Sequence, residues 1–162
     1  MRRTLVSMAI GISLACSVFW VLDAVETIKR AAEIAELQAQ APADWLELSP
    51  MIIEDGKAAP DAREPIAVWT AEAKRTIEVR AAVTTRNLAT GDPICIGGTN
   101  TVITEPTPPR IYNRVLSRLA GVESCEWPAG EYRSRITWTI TDPATRVSKT
   151  VIQETEPFNV LP

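Results

Sequence analysis

Three regimes of hydrophobic patterning follow one another along the chain. The first is an unbroken apolar run, TLVSMAIGISLACSVFWVL, which covers Thr4–Leu22 with 19 residues and no charge. That length suffices to cross a bilayer as a helix. Arg2 and Arg3 precede it, and Asp23 and Glu26 follow. The positive flank predicts an N-terminus inside and a C-terminal part outside. The second regime, DAVETIKRAAEIAELQAQ, consists of strong helix formers. Glu26–Arg30 and Lys29–Glu33 are opposite charges four apart, and Pro42 ends the run. The pattern therefore predicts a cytoplasmic tail over residues 1–3, a transmembrane helix over 4–22 and a helical stalk over 23–41. Cleavage or acylation at Cys16 is the competing reading and gives a secreted or lipidated module, although Ser13 is a poor match to an acylation signal.

After Pro42 the period changes from 3.6 to 2. In TIEVRAAVTT, Thr76–Thr85, Ile77, Val79, Ala81 and Val83 share one face, and Glu78 and Arg80 take the other. In EYRSRITWTIT, Tyr132, Ser134, Ile136, Trp138 and Ile140 alternate with Arg133, Arg135, Thr137, Thr139 and Thr141. Further strands are expected over residues 46–53, 66–70, 94–96, 101–104 and 147–153. Turn clusters separate them, among them Thr90-Gly91-Asp92-Pro93, Gly97-Gly98-Thr99-Asn100 and Asp142-Pro143. About seven strands with one apolar face each predict two packed sheets, an extracytoplasmic β-sandwich over residues 42–162. Trp45, Trp69, Trp127 and Trp138 are expected in its core.

The stretch WPAGEYRSRITWTI resembles the Pro-x-Gly-x-Tyr approach to a late core strand in immunoglobulin-like and fibronectin type III-like sandwiches. The resemblance implies a fold and no activity. The chain departs from a true immunoglobulin domain because no Trp lies between Cys95 and Cys125.

Cys95 falls between Ile94 and Ile96 and so points away from the face they share; Cys125 precedes the late strand. Outside the cytoplasm the two can form a disulfide, which leaves Cys16 unpaired in the apolar segment. Between them, TEPTPPRIYNRVLSRLAG reads as a short inserted helix. Thr107 is its N-cap, Pro108 its first residue and Gly121 its stop. Arg110, Arg114 and Arg118 then share one helical face, beside an apolar stripe of Ile111, Val115 and Leu119. With Tyr112 these arginines are the candidate partner-binding residues, suited to acidic groups. A second candidate contact is helix to helix. Ser7, Gly11 and Ala15 form a small-residue face, and Val25 and Ile28 continue a heptad outside the membrane. The N-terminal helix is thus either a lone stalk or the seam of a homo-oligomer.

Composition removes several functions. The chain of 162 residues has no histidine and a net charge of −3. Residues 41–162 carry 13 basic and 16 acidic side chains, which accounts for all of that charge. The absence of a basic footprint argues against nucleic acid, and the absence of histidine removes His-based triads and His metal sites. No cofactor motif is present. The close acidic pairs, Glu54-Asp55 and Glu123/Glu126, keep a carboxylate-based hydrolase as an alternative. The main expectation is a non-enzymatic, single-pass membrane protein that presents a β-sandwich to a protein partner. Alanine- and arginine-rich, lysine-poor usage points to a GC-rich bacterial envelope or a phage membrane or virion component.

Overall fold

Leucine, alanine and glutamate carry the chain through one long helix before proline-rich sequence turns it into strands. The structure is a computed structural model that describes the backbone of residues 2–57 and 63–162 and the side chains of residues 20–56 and 63–162. The chain divides between Gln40 and Ala41 into two compact units. The first is helix α1, Arg2–Ala39, 38 residues without a break. Among the described residues no helix is long and apolar enough to cross a membrane. The side chains of the expected span 4–22, apart from exposed Trp20, Val21 and Leu22, lie outside the described residues. The same holds for Ser7, Gly11 and Ala15 of the expected helix contact, whereas Val25 and Ile28 are described and exposed.

The second unit is a β-sandwich. Its strands are β1 Leu46–Leu48, β2 Ile52–Glu54, β3 Gly56–Lys57, β4 Ile66–Ala73, β5 Ile77–Asn87, β6 Pro93–Gly98, β7 Val102–Thr104, β8 Thr107–Val115, β9 Gly130–Thr141, β10 Ser148–Glu154 and β11 Phe158–Leu161. One helical turn, α2 Leu116–Leu119, follows β8. In the first sheet β4 is central. It pairs with β1 and β2 in succession along one edge and with β8 along the other. In the second sheet β9 and β5 pair along their length. The outer edge of β9 takes β10 and then β11, and the outer edge of β5 takes β7 and then β6. All these pairings are antiparallel; only the two-residue contact of β3 with β11 is parallel.

Three edge positions are therefore two short strands in tandem. Proline and side-chain hydrogen bonds explain the breaks. Pro50 lacks the donor that would continue β1 into β2. Ser49 holds the gap, giving its N–H to the Thr70 carbonyl at 2.9 Å and accepting the Thr70 N–H on Oγ at 2.8 Å. Between β6 and β7, Thr99 does the same for Ala81, through its own N–H at 2.8 Å and its Oγ1 at 3.0 Å.

The core follows the alternation. Ile77, Ala81 and Val83 of β5, and Tyr132, Ser134, Ile136, Trp138 and Ile140 of β9, are buried. Ser134 is tolerated there because its Oγ meets that of Thr85 at 2.7 Å. All four expected tryptophans are buried. Tyr132 donates its hydroxyl to the Pro128 carbonyl at 2.6 Å, four residues back. Trp127 packs edge-on to its ring at 5.6 Å. The Cys95–Cys125 disulfide is formed, with Cα atoms 5.6 Å apart, and ties β6 to the segment before β9.

One expectation is corrected. The inserted helix does not run from Thr107; residues 107–115 are strand β8, and the helix shrinks to the four residues Leu116–Leu119. Thr107-Pro108 opens an edge strand, where proline's missing donor costs nothing on the unpaired side. Ile111, Val115 and Leu119 consequently form no stripe. Ile111 is 78% exposed, Val115 is half-buried and Leu119 is only 4% exposed. The Gly97-Gly98 doublet also has a structural cause. A Cβ at Gly97 would collide with the Ala120 carbonyl, where the turn after α2 lies on β6.

Candidate interaction groove

Small residues on the inner faces leave space between the sheets. Ala71 and Ala73 of β4 face Ala81 and Val79 of β5 across a cavity of about 360 Å³. Leu46 and Leu48 of β1 close one side of it, and Val102 and Thr104 of β7 flank it on the second sheet. Trp69 and Trp138 form its aromatic floor, with ring centroids 5.7 Å apart. Trp138 is held by its indole N–H, which donates to Gln153 Oε1 at 3.0 Å, and Gln153 in turn donates to the Ser49 carbonyl at 2.8 Å.

The corrected strand brings the sequence candidates to this groove. Side chains two apart on a strand share a face, so Arg110, Tyr112 and Arg114 lie on the same side of β8. Tyr112 opposes Trp69 in the register and stacks on it at 5.5 Å with a 16° interplanar angle. Tyr112 and Arg114 line the groove; Arg118 and Leu119 reach it from α2. Arg110 is exposed on the same face of β8 but does not line the cavity.

The electrostatics of the groove are one-sided. No Asp or Glu lines it. The ion pairs among the described residues are Arg63–Glu54, Lys74–Glu47, Arg75–Asp142 and Arg146–Glu78. None engages Arg110, Arg114 or Arg118, which are all exposed. The mouth thus offers two guanidinium groups beside an aromatic, apolar interior. Such a surface can bind a partner that carries carboxylates next to apolar side chains.

The acidic pairs lie elsewhere. Glu54 is exposed and ion-paired with Arg63 at 3.6 Å, and Asp55 is exposed and accepts the Asn159 N–H at 2.9 Å. Glu123 and Glu126 are exposed. Neither pair lines the groove, and all four carboxyls are exposed, without the burial that would set one as an acid and the other as a base. Among the described residues no group of three His, Cys, Asp or Glu side chains is placed to hold a metal ion.

The groove was hard to read from the sequence, because seven elements contribute to it. Its one legible sign was the Arg110, Tyr112, Arg114 spacing. No protein-family model matches the chain, and no curated protein matches it. Among solved structures the chain is similar to the CooA pilin subunit from enterotoxigenic Escherichia coli. The TM-score is 0.40 at 10% sequence identity, over 73% of this chain and 99% of that one. A likeness that low transfers no pilin function to this protein.

Proposed function

We propose that this protein is a non-enzymatic interaction or scaffolding module, a β-sandwich tethered to the outer face of a membrane by its N-terminal helix. The observation that carries the reading is the meeting of Tyr112, Arg114 and Arg118 at an open apolar groove with no carboxylate of its own. The disulfide supports an oxidising, extracytoplasmic compartment. The uncharged Thr4–Leu22 run after Arg2 and Arg3 supports an N-in anchor. Its small-residue face and heptad support self-association of that helix through Ser7, Gly11, Ala15, Val25 and Ile28. A bacterial envelope or a phage membrane or virion component fits this layout.

The sheet order supports an immunoglobulin-like, fibronectin type III-like reading. With tandem strands counted as one and the two-residue β3 left aside, the first sheet holds positions 1-2-5 and the second 7-6-3-4. The constant-type immunoglobulin sandwich groups 1-2-5-4 and 3-6-7; here the fourth position has changed sheets.

Two results test the proposal. Arg110, Arg114 and Arg118 changed together to Gln should cost only a few tenths of a kcal/mol each. The same variant should lose partners that crosslink to the wild type in its native membrane, and raised salt should weaken that capture. An unchanged partner set at low salt would remove the arginines from the binding surface. A reporter that works only outside the cytoplasm should be active when fused after Pro162; activity from a cytoplasmic reporter alone would reverse the topology.

A further inference from the structure

We infer that the groove receives an extended acidic segment of a partner protein, laid along the free edge of β8. The inference rests on the interaction-module reading and specifies its ligand. Strand β8 pairs with β4 alone, so its other edge is unpaired among the described residues. It is also the sheet edge made of one continuous strand rather than two in tandem. Unpaired strand edges are templates for an added strand. Pro108 and Pro109 have no N–H to offer, so pairing is confined to Arg110–Val115.

Side chains of an added strand alternate between two faces. One set would enter the groove over Trp69 and Trp138 and place carboxylates beside Arg114 and Arg118. The other set would cover Ile111, which is 78% exposed. Charge counts against a second copy of this chain in the register that would cover the edge most evenly. In the symmetric antiparallel register centred on Tyr112, Arg110 would stand opposite the other copy's Arg114, and like charges directly opposite destabilise a pair. A lipid with an anionic headgroup could satisfy the arginines and the apolar interior. It would leave unpaired those peptide groups of Arg110–Val115 that face away from β4, so the free edge favours a peptide.

The test uses the full chain in micelles of a non-ionic detergent and a displayed library of random 12-residue peptides. Selection should enrich peptides with Asp or Glu among alternating apolar residues. The enriched peptides should slow amide exchange at Arg110–Val115. Arg114→Gln/Arg118→Gln should weaken them about tenfold or more, with the melting temperature unchanged. Enrichment without acidic residues, equal enrichment on the double variant, no enrichment, or protection confined to other strands would each overturn the inference. So would arginine-dependent binding of phosphatidylglycerol vesicles that displaces the peptides. If the library fails while a native partner still crosslinks to the wild type, the groove assignment falls and the interaction module stands.

Discussion

Loss of the Cys95–Cys125 bridge should lower the stability of the sandwich by about 3–4 kcal/mol in the chain-entropy model. The bond closes a loop whose ends are 30 residues apart. For a domain of this size the loss corresponds to a fall in melting temperature on the order of 15 °C. The loop contains β7, β8 and α2, so it holds Arg110, Tyr112, Arg114 and Arg118. A Cys95→Ser/Cys125→Ser variant should therefore lose groove binding at temperatures where the β5–β9 pairing persists. Thermal unfolding of the variant beside the oxidised protein measures the effect. Coincident melting curves would show that the loop is held by packing alone.

Asp142→Ala should cost about 3 kcal/mol, because it removes a buried carboxylate with four partners. Asp142 is 3% exposed, at the start of the β9–β10 connection. Its Oδ1 accepts the Ala144 N–H at 3.1 Å, the Thr145 N–H at 2.8 Å and the Thr145 hydroxyl at 2.9 Å. Its Oδ2 accepts from Arg75 at 2.6 Å. Arg75 in turn lies over the Trp45 ring, 4.9 Å from its centroid. Burial alone would raise the carboxyl's pKa, but the Thr145 amide and hydroxyl, Arg75 and the Ala144 amide together hold it below its ordinary value. A depressed folded value means that the unfolded chain takes up the proton first. The stabilisation is present above an unfolded pKa of about 3.9 and is lost as pH falls through the folded value. Asp142→Asn should remove this component, so its stability should decline less in acid than that of the wild type. Denaturant unfolding at neutral and acidic pH tests this; parallel declines would contradict it.

The sandwich was legible where one face of a strand is buried and the other wet. In β5 and β9 the alternation alone named the core, since a register slip would have exposed Ile136 and buried Arg135. The tryptophans and the disulfide followed from burial and compartment. Strand β8 was misread for a geometric reason. A spacing of four is close to one helical turn and is also twice the strand period, so Arg110 and Arg114 share a face in either conformation. The residues between them held the better signal: Ile111, Tyr112 and Val115 favour strands, and Thr107-Pro108 opens an edge strand as readily as it caps a helix. Strand β11 was missed because Phe158–Leu161 is too short for alternation to register, although Phe158 and Val160 are buried. The groove depends on which alanines of β4 and β5 face each other, and single-strand patterns carry no such information.

The tandem edges have a consequence for how the sandwich comes apart. A fluctuation that unzips β10 from residues 135–141 stops at the break, because β11 is registered separately on Gly130–Tyr132. The same perforation divides β1 from β2 and β6 from β7. Each half can lift and reclose as a small independent opening, without carrying the central β4, β5 and β9 with it. The edge of β8 has no such perforation beyond its two prolines. Among the described residues it is the one margin that must detach over most of its length, which suits it to bear a pull from an attached partner.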